Sequence, residues 1–255
     1  MAAFPLMLPG TSRPPKLVVF DLDHTLIACD ATILWTEFLY EKKIVTDPIW
    51  RQYDRDMVKS YAKGVLDFRD FCRKHSGAFR SIPEEKLHAL AQEFAKKKIA
   101  PLIFPDGKKW AKNALQANIP ACVLSASAAF IVKPIAKLFG LTDAMGIQLA
   151  YKDGFSTGEI VSIPTFQEGK VERLSERLAE AGIGFEDVLF FTDSRNDLPL
   201  AERAGYTVCV NPDAVLESAA RKNGWKVAEW KLSLRTQMTA QVDAKGVPET
   251  QTVRS

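Results

Sequence analysis

Four short apolar runs restrict what this chain can become. Lys16-Leu-Val-Val-Phe20, Pro120-Ala-Cys-Val-Leu124, Asp187-Val-Leu-Phe-Phe-Thr192 and Tyr206-Thr-Val-Cys-Val210 are apolar on both faces instead of alternating. A strand of that kind needs cover on each side, which a parallel sheet between helices supplies. Helical patterns lie between the runs. Val171, Leu174, Leu178 and Ala181 fall on one face, and Gly182 stands where such a helix stops. Residues 197–204 and 213–222 read likewise. Strand and helix in alternation predict an α/β fold, a doubly wound parallel sheet with right-handed crossovers.

Two segments break the alternation. Residues 28–105 contain several helical patterns and no good strand, so they read as a helical module inserted after the first strand. One helix is expected over 84–98, with Leu87, Leu90, Phe94 and Ala95 on one face and Ser81–Glu84 as its capping box. Residues 146–161 predict a β-hairpin: Ile147, Leu149 and Tyr151 alternate, Asp153-Gly154 turns, and Phe155 starts the return. The α/β core then comprises 16–27 and 106–232, with a loose extension over 1–15 and a disordered polar tail over 233–255.

The chain's 255 residues suffice for one large domain carrying such an insert. The net charge of +3 argues against a nucleic-acid partner, and the lysines at 96–98 and 108–109 read as solvated helix ends. No apolar stretch approaches the roughly 20 residues of a membrane helix. The N-terminus makes a poor signal peptide, and the four cysteines form no paired motif, so a reducing, cytoplasmic setting is expected.

The chemistry begins at Phe20-Asp21-Leu22-Asp23-His24-Thr25, where two carboxylates leave the C-terminal end of an apolar strand. Open α/β sheets place their ligands there. With a strand's period of two, Asp21 and Asp23 start on one side, about 7 Å apart. One carboxylate can attack while the other handles a leaving-group proton. Ser125 ends the second run, before a helix, where a hydroxyl and free amides make an anion site; Ser125 or Ser127 capping that helix is the alternative. Lys170 follows Gly169 at a helix start, against the helix dipole, which a local anion would explain and a solvated lysine would not require. Asp193 and Asp197 follow the third run, as oxygen ligands for a hard divalent cation or, for Asp197, as a helix cap.

Asp-x-Asp-x-Thr, then Ser, then Lys, then Asp-x-x-x-Asp resembles the motif series of the haloacid dehalogenase superfamily over about residues 16–230. The insert, Gly169-Lys170-Val-Glu-Arg-Leu174 and Asp193-Ser-Arg-Asn-Asp-Leu-Pro-Leu200 are similar to its phosphoserine phosphatase-like branch. The resemblance implies a magnesium-dependent phosphomonoesterase for a small phosphorylated metabolite, with Asp21 forming an aspartyl-phosphate and Asp23 as general acid, then base. It implies Mg2+ on the Asp21 carboxylate, the Asp23 backbone carbonyl and Asp193, with Asp197 supporting. Thr25, Ser125, Ala126, Lys170 and Asn196 would lie around the phosphoryl group. A phosphotransferase on the same scaffold and a non-catalytic phosphate-binding protein are the competing classes, and the full motif set argues against the latter.

The insert would cover the site and read the leaving group. Asp30, nine residues after Asp21, stands where phosphoserine phosphatases carry an ammonium-binding Glu, and a helix N-cap explains it equally well. The family's carboxylate-binding arginine corresponds to His75, a poor replacement for a bidentate fork, so phosphoserine loses ground. Residues 157–174 and Thr192 resemble capped hydrolases that include histidinol-phosphate phosphatases, although Ala31-Thr32-Ile33 lacks the polar run associated with that substrate.

Overall fold

The computed structural model describes residues 13–63 and 66–233, and of residues 61–63 the backbone alone. Most of the expected extension and nearly all of the expected tail lie outside those residues.

Six parallel strands form the main sheet in the order β3-β2-β1-β6-β7-β8: β1 (Leu17–Phe20), β2 (Ala121–Ala128), β3 (Asp143–Ile147), β6 (Val188–Thr192), β7 (Tyr206–Val210) and β8 (Lys226–Ala228). Every residue of β1 and β6 is buried, as two covered faces require. The strand period divides them between two cores. Val18, Phe20, Leu189 and Phe191 enter one, and Leu17, Val19, Val188 and Phe190 the other. Phe20 and Phe191 stack at 4.8 Å. Helix α5 (Pro105–Gln116) precedes β2, α6 (Ala129–Lys137) precedes β3, and α7 (Glu168–Ala181) precedes β6. Two helices follow β6 and β7: α8 (Leu198–Ala201), which covers only the middle of the predicted 197–204, and α9 (Ala214–Asn223), close to the predicted 213–222. Gly182 caps α7 at φ 65, the left-handed geometry that glycine adopts without penalty.

The chain leaves the sheet and returns at one neck. Ile27 bridges Ile103 in antiparallel sense, Ala28 N–H donates to the Leu102 carbonyl, and Phe104 N–H donates to that of Leu26. Between these points lie α1 (Ala31–Glu41), α2 (Ile49–Lys63), α3 (Phe68–His75) and α4 (Glu84–Phe94). The helical segment shares the first core: Trp35 and Phe79 meet Phe130 of α6 edge-on, at 5.5 and 5.2 Å.

Several expectations are corrected. The strand predicted to end at Leu124 continues to Ala128, with its register against β3 shifting after Leu124, because the serines at 125 and 127 still fit an extended chain. Ile147 belongs to β3 at the sheet edge, and the hairpin is confined to β4 (Leu149–Lys152) and β5 (Phe155–Ile160). The α-helix begun at Glu84 stops at Phe94 and continues as a π-helical turn, Ala95–Ile99. Its N-cap is Pro83 with no side-chain cap, since Glu84 N–H is taken by the Gly154 carbonyl of the hairpin turn at 2.8 Å. The hairpin is thereby pinned to the helical segment. At Gly158 (φ 82) a Cβ would stand 2.0 Å from Ser76 Oγ.

Candidate active site

In the strand order, β1 is the point from which the chain builds outward to β2 and β3 on one side and to β6, β7 and β8 on the other. Ligand crevices of open α/β sheets form at such a reversal, beyond the carboxyl ends of the strands. Asp21 and Asp23 follow β1, Ser125 and Ser127 lie in the last turns of β2, and Asp193 and Asp197 follow β6. After Asp23 the backbone bends sharply. His24 has φ 57, and the Leu22 carbonyl accepts from the amides of Thr25, Leu26 and Ile27. The bend turns Thr25 inward, where its Oγ1 donates to Asp193 Oδ1 at 3.0 Å.

Lys170 reaches this edge from the first turn of α7. Its Nζ donates to Asp21 Oδ1 at 2.7 Å and to Asp197 Oδ2 at 2.8 Å, and it is 3% exposed. Two backbone features place it. Gln167, before the helix, has φ 49 and ψ −124, which a non-glycine residue tolerates only under tertiary constraint. At Gly169 an added Cβ would stand 1.8 Å from the Pro164 carbonyl oxygen, so only glycine fits. Burial alone would lower the Lys170 ammonium, but the carboxylates of Asp197 and Asp21 outweigh it and hold it above its ordinary range.

The carboxylates outnumber that one cation. Burial raises Asp21 despite Lys170, with Asp23 adding to the rise. Asp193 is pushed well above the ordinary carboxylate range by burial and then by the charges of Asp21 and Asp197. Burial moves Asp197 up to about 6, opposed by Lys170. This surplus of buried negative charge is the chemistry of a cation site. Among the described residues no three His, Cys, Asp or Glu side chains form a ready-made metal cage. Asp197 is already held by Lys170 and by Thr192 Oγ1 at 2.8 Å. A donor set of Asp21, Asp193 and a main-chain carbonyl still fits magnesium, which is commonly bound through one or two carboxylates with water and phosphate completing its shell.

Asp23 is held by a different set of partners. Its Oδ1 accepts from the Ala31 amide at 2.6 Å, and its Oδ2 from Ser127 Oγ at 2.9 Å and Ser125 Oγ at 3.2 Å. Burial, and then the charge of Asp30, raises its carboxyl to about 6. Two carboxylates two residues apart are therefore held in different environments, which suits different roles.

The sequence profile of the haloacid dehalogenase-like hydrolases matches residues 18–202. This chain is a haloacid dehalogenase-like hydrolase. Over 220 residues it is 34% identical to a histidinol-phosphatase of Neisseria meningitidis, spanning 85% of this chain and 99% of that one. A phosphoserine phosphatase of Mycobacterium tuberculosis is 26% identical over 239 residues, 90% of this chain and 77% of the other. Among solved structures, a protein of unknown function from Bordetella pertussis Tohama I superposes with a TM-score of 0.76 at 31% identity, covering 83% of this chain and 96% of that one. A substrate-bound phosphoserine phosphatase superposes at 0.64 with 21% identity, covering 90% and 99%, and shows likeness of fold.

Of the residues singled out in this hydrolase, Lys170 bonds Asp21 and Asp197, Thr25 bonds Asp193, and the charges of Asp21, Asp197 and Lys170 bear on Asp193; Asp23, bonded by Ser125, bears on Asp21. Ala126 lies between the two serines and is partly buried. Asn196 is 4% exposed, and its Oδ1 accepts from Gln167 Nε2 at 3.2 Å. Asp30 is the N-cap of α1, accepting from Ile33 N–H at 3.0 Å. His75 is not among that group, with Nε2 3.0 Å from Thr36 Oγ1 and 3.2 Å from Asp54 Oδ1. Arg73, nearby in sequence, pairs with Asp70 at the surface. Sequence reading treated Ser127 only as a helix cap and missed Thr165, whose hydroxyl holds the Ser125 carbonyl at 2.5 Å. The extension of β2 was the signal for Ser127, since period two carries it to the same side as Ser125.

Proposed function

We propose that this hydrolase is a phosphatase that cleaves a small phosphomonoester through an aspartyl-phosphate. The observation that carries the reading is Lys170 Nζ bridging Asp21 and Asp197 at the sheet's switch point while Asp23 is held separately by Ser127 and the Ala31 amide. A carboxylate approaching a phosphate dianion meets like-charge repulsion, which a buried ammonium offsets. Asp21 attacks phosphorus, forming the acyl-phosphate bond as the ester P–O bond breaks. Asp23, with its carboxyl raised to about 6, gives its proton to the departing alkoxide. Ionised, it then takes a proton from the water that attacks the acyl phosphate, and Asp21 is regenerated. Thr25, Ser125, Ala126 N–H, Lys170 and Asn196 surround the phosphoryl oxygens.

Magnesium would be held by Asp21, the Asp23 carbonyl and Asp193, with Asp197 supporting, and when bound it supplies neutralisation of phosphoryl charge. Residues 28–105 act as the cap over this site. Turnover of a generic aryl phosphate, with a chelator and then with restored magnesium, tests the assignment. Loss and recovery are expected, and full activity in strong chelator would sink it. Histidinol phosphate is a second, narrower reading, favoured by the Neisseria meningitidis relative and tested by direct assay of that ester.

A further inference from the structure

The end of β2 carries a second serine whose hydroxyl is not spent on the helix that follows. The N-cap of α6 is Ala128, with no side-chain cap. Ser127 is buried, and its Oγ donates to Asp23 Oδ2 at 2.9 Å. A serine has one hydroxyl proton, so in the 3.1 Å contact with Thr32 Oγ1 it is Thr32 that donates and Ser127 that accepts. Thr32 lies in the first turn of α1, next to Ala31, whose amide donates to Asp23 Oδ1 at 2.6 Å. That turn therefore grips both carboxylate oxygens of Asp23, one directly and the other through Ser127. Ser127 is itself fixed by its strand. At Gly146 of β3 an added Cβ would stand 2.8 Å from the Ser127 carbonyl oxygen, and the Ser127 amide donates to Ser125 Oγ at 3.0 Å.

The two oxygens of Asp23 are not equivalent. The Ala31 amide keeps Oδ1 an acceptor, which leaves Oδ2 to take up and release the proton. Two hydroxyls reach Oδ2: Ser127 and, at 3.2 Å, Ser125. Ser125 also has a single proton, and a bound phosphoryl oxygen competes with Asp23 for it. Once Ser125 turns to the phosphoryl group, Ser127 is the side chain left on Oδ2. We propose that Ser127, backed by Thr32, is the positioning residue that keeps Asp23 Oδ2 aimed at the leaving oxygen. The inference rests on the phosphatase reading and deepens it by tying the acid–base residue to helix α1. In the first step the Oδ2 proton passes to the departing alkoxide, and in the second Oδ2 takes one back from the attacking water. A hydroxyl suits both, since it donates to the ionised carboxylate and rotates to accept from the protonated one.

The test uses the full chain with magnesium and compares kcat/KM for an alkyl phosphate, whose leaving oxygen needs a proton, with that for nitrophenyl phosphate, whose leaving oxygen does not. Ser127→Ala should lower the alkyl-to-aryl ratio about 10- to 100-fold, the range for losing a hydrogen bond to a charged group. Thr32→Val keeps the shape but removes the donor, and should lower the ratio in the same direction by a smaller factor. Ser127→Thr retains a hydroxyl and should keep the ratio near the wild-type value. An equal fall on both esters in Ser127→Ala would make Ser127 a packing or phosphoryl-binding residue and overturn the proposal, as would an unchanged ratio. An unchanged ratio in Thr32→Val would overturn the part given to α1. Should Ser127→Ala fail to fold, Thr32→Val, at a partly exposed position, decides alone. A wild-type protein that turns over neither ester would instead defeat the phosphatase reading.

Discussion

The two walls of the cleft are built by different means. On the proposed phosphoryl wall, Asp21, Lys170, Asp193 and Asp197 are carried by strand ends and the first turn of a helix; Lys170 holds Asp21 and Asp197, and Thr25 holds Asp193. On the proposed leaving-group wall, Asp30, Asp54 and His75 come from three helices of the segment between β1 and β2, and Asp54 Oδ1 stands 3.2 Å from His75 Nε2. The first wall is a closed electrostatic unit around a fixed chemical task. The second is looser, drawn from helices whose packing decides which side chains meet. Substitutions on the two walls should therefore differ in kind. The first should lower turnover of every ester, and the second should reorder esters.

The largest effect is expected at Lys170. Its removal leaves Asp21 and Asp197 buried and mutually repelling, so Lys170→Ala should lower kcat by on the order of 1,000-fold on aryl and alkyl esters alike. Loss of one partner from a buried ion pair also costs about 3–5 kcal/mol, to be read from chemical denaturation. A variant that lost activity on alkyl esters only would merge the two walls.

Asp23 stands between them. Asp23→Asn should cost about 100- to 10,000-fold with alkyl esters, and less in the first step with an aryl ester, whose leaving group needs no proton. The pH dependence follows from its raised carboxyl. As pH rises through about 6 the proton is lost, so phosphorylation by alkyl esters should slow while dephosphorylation quickens. Single-turnover rates of the two steps, measured across that range, check the sign. Parallel changes in both would contradict the assignment.

The asymmetry explains what could be read from sequence. The phosphoryl wall follows from local rules. Apolar runs fix β1 and β6, and the residues after them must lie at the sheet's carboxyl edge. Gly169 announces the close approach that sets Lys170. Strands β3 and β8 escaped because they are edge strands, the one containing Gly146 and the other three residues long and largely exposed. Asp54 and Thr36 were illegible for another reason. Each is one polar residue on a helix, and what matters is which helices pack together, a tertiary fact without local periodicity. The capping box at Ser81–Glu84 failed likewise, since the distant Gly154 carbonyl claimed the amide of Glu84.

The smallest effect is expected at Asp30. As the N-cap of α1 it should contribute about 1 kcal/mol, lost in Asp30→Ala and seen in denaturation midpoints. The ranking of cationic against neutral esters should shift in the same variant. Loss of stability without any change of ranking would leave Asp30 a cap alone and weaken the contrast between the walls.

The central claim is that Asp21 takes the phosphoryl group while Asp23 only moves protons. Asp23→Asn should form the intermediate from an aryl phosphate and then stall, because the attacking water lacks its base. Rapid acid quench followed by mass spectrometry of the peptide from Lys16 to Leu26 reads it directly. One phosphoryl group on Asp21 in Asp23→Asn, absent from Asp21→Asn, is the predicted result. A phosphoryl group on a serine or histidine, or undiminished turnover by Asp21→Asn, would contradict the account.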